Sequence, residues 1–251
     1  MKKEEVGHNF LARLGKTRLR PGGRKATDWL IANGDFNEQK KVLEVACNMA
    51  TTAIGLAQKF GCHIEGVDLD ETALAKAQAN IVAHNLQDKI HVQRANAMRL
   101  PFADNSFDIV INEAMLTMLP LPAKMKAVAE YYRVLKPNGF LLTHDVMLTT
   151  DDSEQLINEL RDAINITVTP LNKADWKKVF SETGFRNVET FSGEMTLLSP
   201  KGLIYDEGIL GAAKIIKNAM KAENRETFKK MFKVFNDPDK KLNFIAVCSQ
   251  K

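Results

Sequence analysis

Residues Lys41 to Ala53 read KVLEVACNMATTA. The apolar run Val42, Leu43, Val45 and Ala46 predicts a short, fully buried strand. A helical pattern then opens at about Thr51 and continues through Ile54, Leu56 and Ala57. A buried strand that turns sharply into a helix presents backbone N–H groups at the carboxyl edge of a sheet. In open α/β folds that edge is where nucleotide-like ligands bind.

Outward from this stretch, strands and helices alternate. Residues 63–68 predict a second strand ending in Asp68, and Asp70 has N-cap chemistry for the helix marked by Leu74, Ala77 and Ile81. Strands follow at 90–95, 107–112 and 140–145. A helix carried by Met125, Val128, Tyr132 and Leu135 precedes the last of these and stops at Lys136-Pro137-Asn138-Gly139. This rhythm calls for a doubly wound, mostly parallel sheet with helices on both faces. From Asp151 the pattern changes: helices at 153–164 and 173–183 precede a strand at 188–191. Helices at 202–220 and 225–235 then precede a last strand at 242–248, giving a late hairpin-like pair split by a helical insertion. Residues 1–40 read as a polar helical lead-in, broken at Arg20-Pro21-Gly22-Gly23. That break is either a plain connector or a loop whose bare backbone lies against a ligand with Arg18 or Arg20.

Bulk properties narrow the function. The 251 residues are 45% hydrophobic and 26% charged, ordinary for one large α/β domain. Lys+Arg 35 against Asp+Glu 31 leaves a mild +4. The compact basic cluster Lys16, Arg18, Arg20, Arg24 and Lys25 reads as solvated surface or a small-anion contact, so nucleic acid is not an expected partner. The cysteines Cys47, Cys62 and Cys248 form no C-x-x-C pair, which fits a reducing cytosol and disfavours a metal site or a disulfide framework. The opening MKKEEVGHNF lacks the apolar core of a signal peptide. No apolar run approaches the roughly 18 residues needed to span a membrane. A cytoplasmic protein without a membrane partner is the expectation.

With these residues in view, the chain resembles the class I S-adenosylmethionine-dependent methyltransferases of the type 11 small-molecule group. Leu100-Pro101-Phe102-Ala103-Asp104-Asn105-Ser106-Phe107-Asp108 is similar to that group's L-P-F-x-D-x-S-F-D signature. Around it stand the Glu44 strand end, Gly66-Val67-Asp68, Asn96-Ala97 and Leu135-Lys136-Pro137-Asn138-Gly139, in the family's order over residues 41–145. The resemblance implies a Rossmann-like sheet of seven strands with the last antiparallel. It also implies S-adenosylmethionine as cofactor and a small-molecule methyl acceptor. The implied organisation is a lead-in or lid at 1–40, a cofactor-binding core at 41–150, and a C-terminal half at 151–251 with an insertion near 200–236, all in one domain.

Each matched piece also has a role read from its chemistry. Glu44 can draw in the ligand's ammonium or serve as a structural acid on loop amides. Asp68 can accept from both hydroxyls of a ribose, and Leu69 would lie against an adenine face. Asn96 stands where the family more often has Asp; its amide can meet the adenine edge, with Ala97 adding an N–H. Asn112, ending the fourth strand, should face the same cleft. The departure lies in the opening stretch, where Ala46, Asn48 and Ala50 replace the family's three glycines. Glycine there reaches φ > 0 and lets a ligand approach the backbone, and Asn48 is the next most tolerant residue for that conformation.

Methyl transfer needs a nucleophile held in line and water excluded, with a general base only where the acceptor must lose a proton. Glu113, His144 and Asp145 are the candidates for that base. Met115, Met118, Met147 and Met195 could line an apolar acceptor pocket or be plain core. Tyr205 and Trp29 are candidates for its roof. The glycine-free loop keeps open a methyltransferase-shaped binding or regulatory protein, and an RNA-modifying enzyme is a third reading.

Overall fold

The computed structural model describes residues 5–150 and 153–251. The first residues of the polar opening, and Asp151 and Asp152 at the expected boundary, lie outside the described residues. Among the described residues eight strands are formed: β1 (Lys41–Val45), β2 (His63–Asp68), β3 (Ile90–Arg94), β4 (Phe107–Glu113), β5 (Leu135–Leu148), β6 (Leu171–Asn172), β7 (Arg186–Glu194) and β8 (Leu242–Gln250). The main path runs β3-β2-β1-β4-β5-β8-β7, with the two-residue β6 beside the end of β5. β8 runs antiparallel to both β5 and β7, and the pairs along β3-β2-β1-β4-β5 are parallel. This is the expected α/β architecture, a seven-stranded Rossmann-like sheet with its last strand antiparallel and a short extra strand at one edge.

Helices α1 (Gly7–Leu14), α2 (Gly23–Asn33), α3 (Thr51–Phe60), α4 (Glu71–Ala83), α5 (Leu121–Val134), α6 (Glu154–Ile164), α7 (Lys173–Thr183), α8 (Pro200–Ala219) and α9 (Ala222–Phe235) complete the chain. The apolar run of β4 is sorted by strand alternation. Ile109 and Ile111 enter one core with Ile54, Ala77 and Leu142. Val110 enters the core on the other face with Val128, Tyr131 and Trp176. A strand buried on both faces reads as a continuous apolar run for this reason. A third core joins α1, α6, α8 and α9 through Phe10, Leu14, Leu160 and Met231.

Several boundaries moved by a few residues, and two readings changed in kind. Lys136 to Gly139, read as a helix stop, lies inside β5, where a register shift between Phe107 and Ile109 absorbs the proline and Asn138 adopts φ 65°. The segment read as one helix over 202–220 carries Gly208 at φ 72°, ψ 171°, which breaks α8 in two.

The strand order reverses between β1 and β4. That point opens a crevice above the carboxyl ends of β1, β2 and β4.

Candidate functional site

β1 ends at Val45, and the chain must turn steeply to enter α3. It does so through three left-handed residues: Ala46 (φ 59°), Asn48 (φ 47°) and Ala50 (φ 59°). The loop therefore takes a glycine-like path without glycine. A left-handed alanine costs about 1–2 kcal/mol, which neighbouring bonds offset. Cys47 N–H donates to Val67 O at 3.0 Å, and Ala50 N–H donates to Cys47 O at 2.8 Å. Asp68, at the tip of β2, accepts from Asn48 N–H and from Asp70 N–H, at 2.9 and 3.0 Å. Asp70 meanwhile caps α4, accepting from Thr72 N–H and Ala73 N–H.

Beneath this loop lies a buried ionic cluster. Glu44, Glu113 and His144 occupy neighbouring strands on the same face of the sheet. Glu44 accepts from Ala53 N–H at 3.0 Å, so its carboxyl sits in the first turn of α3. Burial pushes this carboxyl up to about 8; Glu113 adds to the rise, and Arg20 and Ala53 N–H oppose it. Glu113 is equally buried, yet its carboxyl is held at about 2. The Arg20 guanidinium 3.2 Å away, His144 and Thr27 outweigh the burial penalty. The two acids thus divide the roles: Glu44 carries the proton and Glu113 the charge.

His144 is fully buried with both ring nitrogens engaged. Gly22 N–H donates to its Nε2 at 2.9 Å, and Nδ1 lies 3.0 Å from Glu113. A proton on Nδ1 satisfies both bonds. Glu113 also accepts from Thr27 and Thr52 hydroxyls. Arg20, Gly22 and Thr27 belong to the segment around the Pro-Gly-Gly break, so the cluster fastens that segment onto β4 and β5. A Cβ at Gly22 would meet the Phe244 ring at 2.5 Å, so only glycine fits there.

A cavity of about 270 Å³ opens over this region. Glu44, Ala46, Asn48, Asp68 and Glu113 line one end, with Met49, Asp70 and Arg20 beside them. Leu11, Leu160, Ile164, Val168, Leu197 and Phe235 line the other, together with Met118, Met195 and Met231. Six expected site residues stand apart from the cavity wall. Ala50 is buried in the core at the start of α3, and Leu69 is 58% exposed outside the cavity. Asn96 is exposed, with its side chain accepting from Met98 N–H, and Ala97 packs beside the core around Val110. Asn112 is fully buried on the face opposite Glu113, its amide without a hydrogen-bond partner. His144 lies behind Glu113, also outside the wall.

Of the four methionines, Met115, Met118 and Met195 line the cavity, while Met147 is core. Trp29 stacks on Phe191 at 5.7 Å, and Tyr205 is exposed under Arg24; neither roofs the cavity. The basic cluster is solvated only in part: Arg24 and Lys25 are exposed, and the other three turn inward. Lys16 is buried between Asp206 and Glu207, Arg18 bonds Asp206 O, and Arg20 pairs with Glu113.

One lining residue has no signal in the sequence. His8, on α1, faces Asp68 and Asp70, and its Nδ1 is buried without a partner. Burial lowers its pKa, and the two acids act in the other direction. Only the folding of α1 back over the sheet brings it there.

Comparison with known proteins agrees with this architecture. Residues 42–139 match the model of the methyltransferase domain family. The chain belongs to the class I S-adenosylmethionine-dependent methyltransferases, and within them to the type 11-like branch. It is 78% identical over all 251 residues to an uncharacterized protein of Haemophilus influenzae, which it covers completely. It is 32% identical over 136 residues to "Methyltransferase GfsG" of Streptomyces halstedii, a match covering 53% of this chain and 48% of that protein. Among solved structures, a phosphoethanolamine N-methyltransferase of Haemonchus contortus superposes with a TM-score of 0.75 at 21% identity, over 98% of this chain and 57% of the other. The chain thus spans about half the length of these two methyltransferases. Among the described residues, no helix is long and apolar enough to cross a membrane.

Proposed function

We propose that this chain transfers the methyl group of S-adenosylmethionine to a small, largely apolar acceptor. The observation that carries the reading is the two-ended cavity at the sheet's switch point, acidic and loop-lined at one end and walled by aliphatic side chains and methionines at the other. The residues present suit the cofactor. Its ribose hydroxyls need an acceptor at the β2 tip, its ammonium needs an acid at the β1 tip, and an unpartnered His8 nitrogen faces the same space. The solved Haemonchus contortus relative holds S-adenosylhomocysteine, which supports the same assignment.

In this reading Asp68 grips the ribose, Glu44 attracts the ammonium, and the loop through Ala46, Asn48 and Ala50 lets the ligand lie close to the backbone. Leu69, Asn96 and Ala97 flank the adenine beyond the cavity, and Asn112 supports the floor from beneath. When bound, the cofactor supplies a methyl group already activated by its sulfonium. The protein's remaining work is alignment and exclusion of water. Glu113, held at about 2, is a weak base, and His144 has no free ring nitrogen. Both are assigned to positioning: they clamp the Arg20–Thr27 segment over the site. Asp145 lines the cavity too, although its oxygens accept from Thr117 and Val146 N–H.

Among the described residues, no unengaged Lys or Arg lines the apolar end, which supports a neutral or cationic acceptor over an anionic one. RNA has less support, because Lys16, Arg18 and Arg20 turn inward. The three cysteines are free and buried, which suits the cytoplasm.

The test is mass spectrometry of the purified protein for co-purified S-adenosylmethionine or its demethylated product, with calorimetry of both ligands. Either ligand at near-stoichiometric level supports the reading. Repeated preparations lacking both, with no measurable affinity for either, would replace it with the binding-scaffold reading.

A further inference from the structure

Segment 200–235 combines two properties found together nowhere else in the described chain. Seven of the ten exposed large apolar side chains among the described residues lie in it. It also carries eight Lys and Arg against four Asp and Glu. Two of those acids, Asp206 and Glu207, are turned inward against Lys16, so the outer surface is more basic than the count suggests.

The arrangement along α8 is ordered. Past the break at Gly208, Ala212, Ile215 and Ala219 recur at helical spacing and are buried against the body. Ile209, Ala213, Ile216 and Met220 form the adjoining row, at spacings of four, three and four, and all are exposed. Lys214 and Lys217 form the next row, and Lys221 follows at the turn into α9, all exposed. With about 3.6 residues per turn, the three rows succeed one another around the helix. The Gly208 break also lifts Ile209 and Leu210 to 74% and 87% exposure at the corner. On α9, Phe232 is exposed among Lys229, Lys230 and Lys233, while Met231 and Phe235 turn inward to wall the apolar end of the cavity.

An apolar row bordered by a lysine row is the surface of a helix that lies in a membrane interface, its aliphatic side chains at the acyl boundary and its lysines on anionic headgroups. We propose that α8 and α9 form a docking surface for an anionic lipid bilayer. A second copy of this chain suits the surface less well, because pairing it with itself would bring lysine rows together. The sequence-level expectation of no membrane partner turned on the absence of a spanning run, and an interfacial helix leaves no such run. This docking does not depend on methyl transfer. If both hold, the wall of the apolar cavity lies directly under the bilayer, where an apolar acceptor would be dissolved.

The experiment is co-sedimentation of the full chain with vesicles of phosphatidylglycerol and phosphatidylcholine, against vesicles of phosphatidylcholine alone. The expected result is binding at least about tenfold stronger to the anionic vesicles, falling as salt is added. The triple variant Lys214→Gln, Lys217→Gln, Lys221→Gln should lower the partition coefficient about a hundredfold. Ile209→Ser with Ile216→Ser should lower it as well. All five positions are exposed, so the thermal melt should stay unchanged in both variants, which separates lost docking from lost folding. Failure to sediment with either vesicle at low salt overturns the proposal, as does undiminished binding by both variants. A dimer in analytical ultracentrifugation that Ile209→Ser with Ile216→Ser dissociates, with no vesicle binding by the parent chain, overturns it in favour of a self-interface.

Discussion

Cofactor binding should release a proton from Glu44 at neutral pH. The carboxyl is buried, its pKa stands at about 8, and in the free protein it is therefore mostly protonated at pH 7. An ammonium brought beside it favours the charged form and returns its pKa toward or below the ordinary value near 4.3. The ligand's own α-amino group stays protonated below about 7.7, so a range of about pH 5.5 to 7 isolates the Glu44 contribution. Over that range the association constant should climb close to tenfold per pH unit, about thirtyfold in all. Calorimetry in two buffers of different ionisation enthalpy should show about 0.9 proton released at pH 7. Glu44→Gln keeps the shape and the bond to Ala53 N–H but has no proton to release, so its profile should be flat. An affinity independent of pH in the parent chain, with the same heat in both buffers, would refute the placement of the ammonium against Glu44.

The same cluster sets the acid and alkaline limits of stability. Glu113, lowered to about 2, contributes stability that is fully present above its unfolded value near 4.5 and is lost as pH falls toward 2. The integrated effect is about 3 kcal/mol. Glu44, raised to about 8, acts in the opposite sense, its contribution being lost as pH rises from about 4.5 to 8. Denaturant midpoints across this range, compared in Glu113→Gln and Glu44→Gln, should show the two slopes disappear separately. Arg20→Met removes the guanidinium from a buried carboxylate and should destabilise by about 3–5 kcal/mol, read as a lowered midpoint in urea. Ala46→Gly relieves a left-handed alanine against a glycine entropy cost of about 0.5–1 kcal/mol, leaving a gain of about 0.5–1 kcal/mol; a loss of stability would show the loop is unstrained. Asp68→Ala should abolish measurable cofactor binding with the far-UV circular dichroism unchanged, and unaltered affinity would remove Asp68 from the site.

The parallel half of the fold was legible because its signals are local. β1 and β4 are apolar runs bounded by turns, β2 is a short strand closed by an acid, Asp70 caps its own helix, and α7 is bracketed by Asn172 and Gly184. The Gly208 break and the strand conformation of Lys136 to Gly139 were not legible, because each depends on packing rather than on periodicity. In the site, Asp68 and Glu44 could be picked out by their places at strand ends. The different proton affinities of Glu44 and Glu113 could not, since both are glutamates at strand ends and only the tertiary neighbours that gather at Glu113, Arg20 with His144 and Thr27, separate them.

By itself the chain's order of residues determined the doubly wound architecture, the ligand-binding sheet edge after β1 and the family. Those follow from alternation, helical period and a few motifs along one stretch of backbone. Tertiary structure alone decided that His144 holds Gly22 and that His8 faces the β2 tip. It also decided that Lys16 is buried and that a basic, apolar-striped face remains outermost. Each of these pairs residues far apart in the chain, whose burial and charge are properties of the neighbours they meet rather than of their own positions.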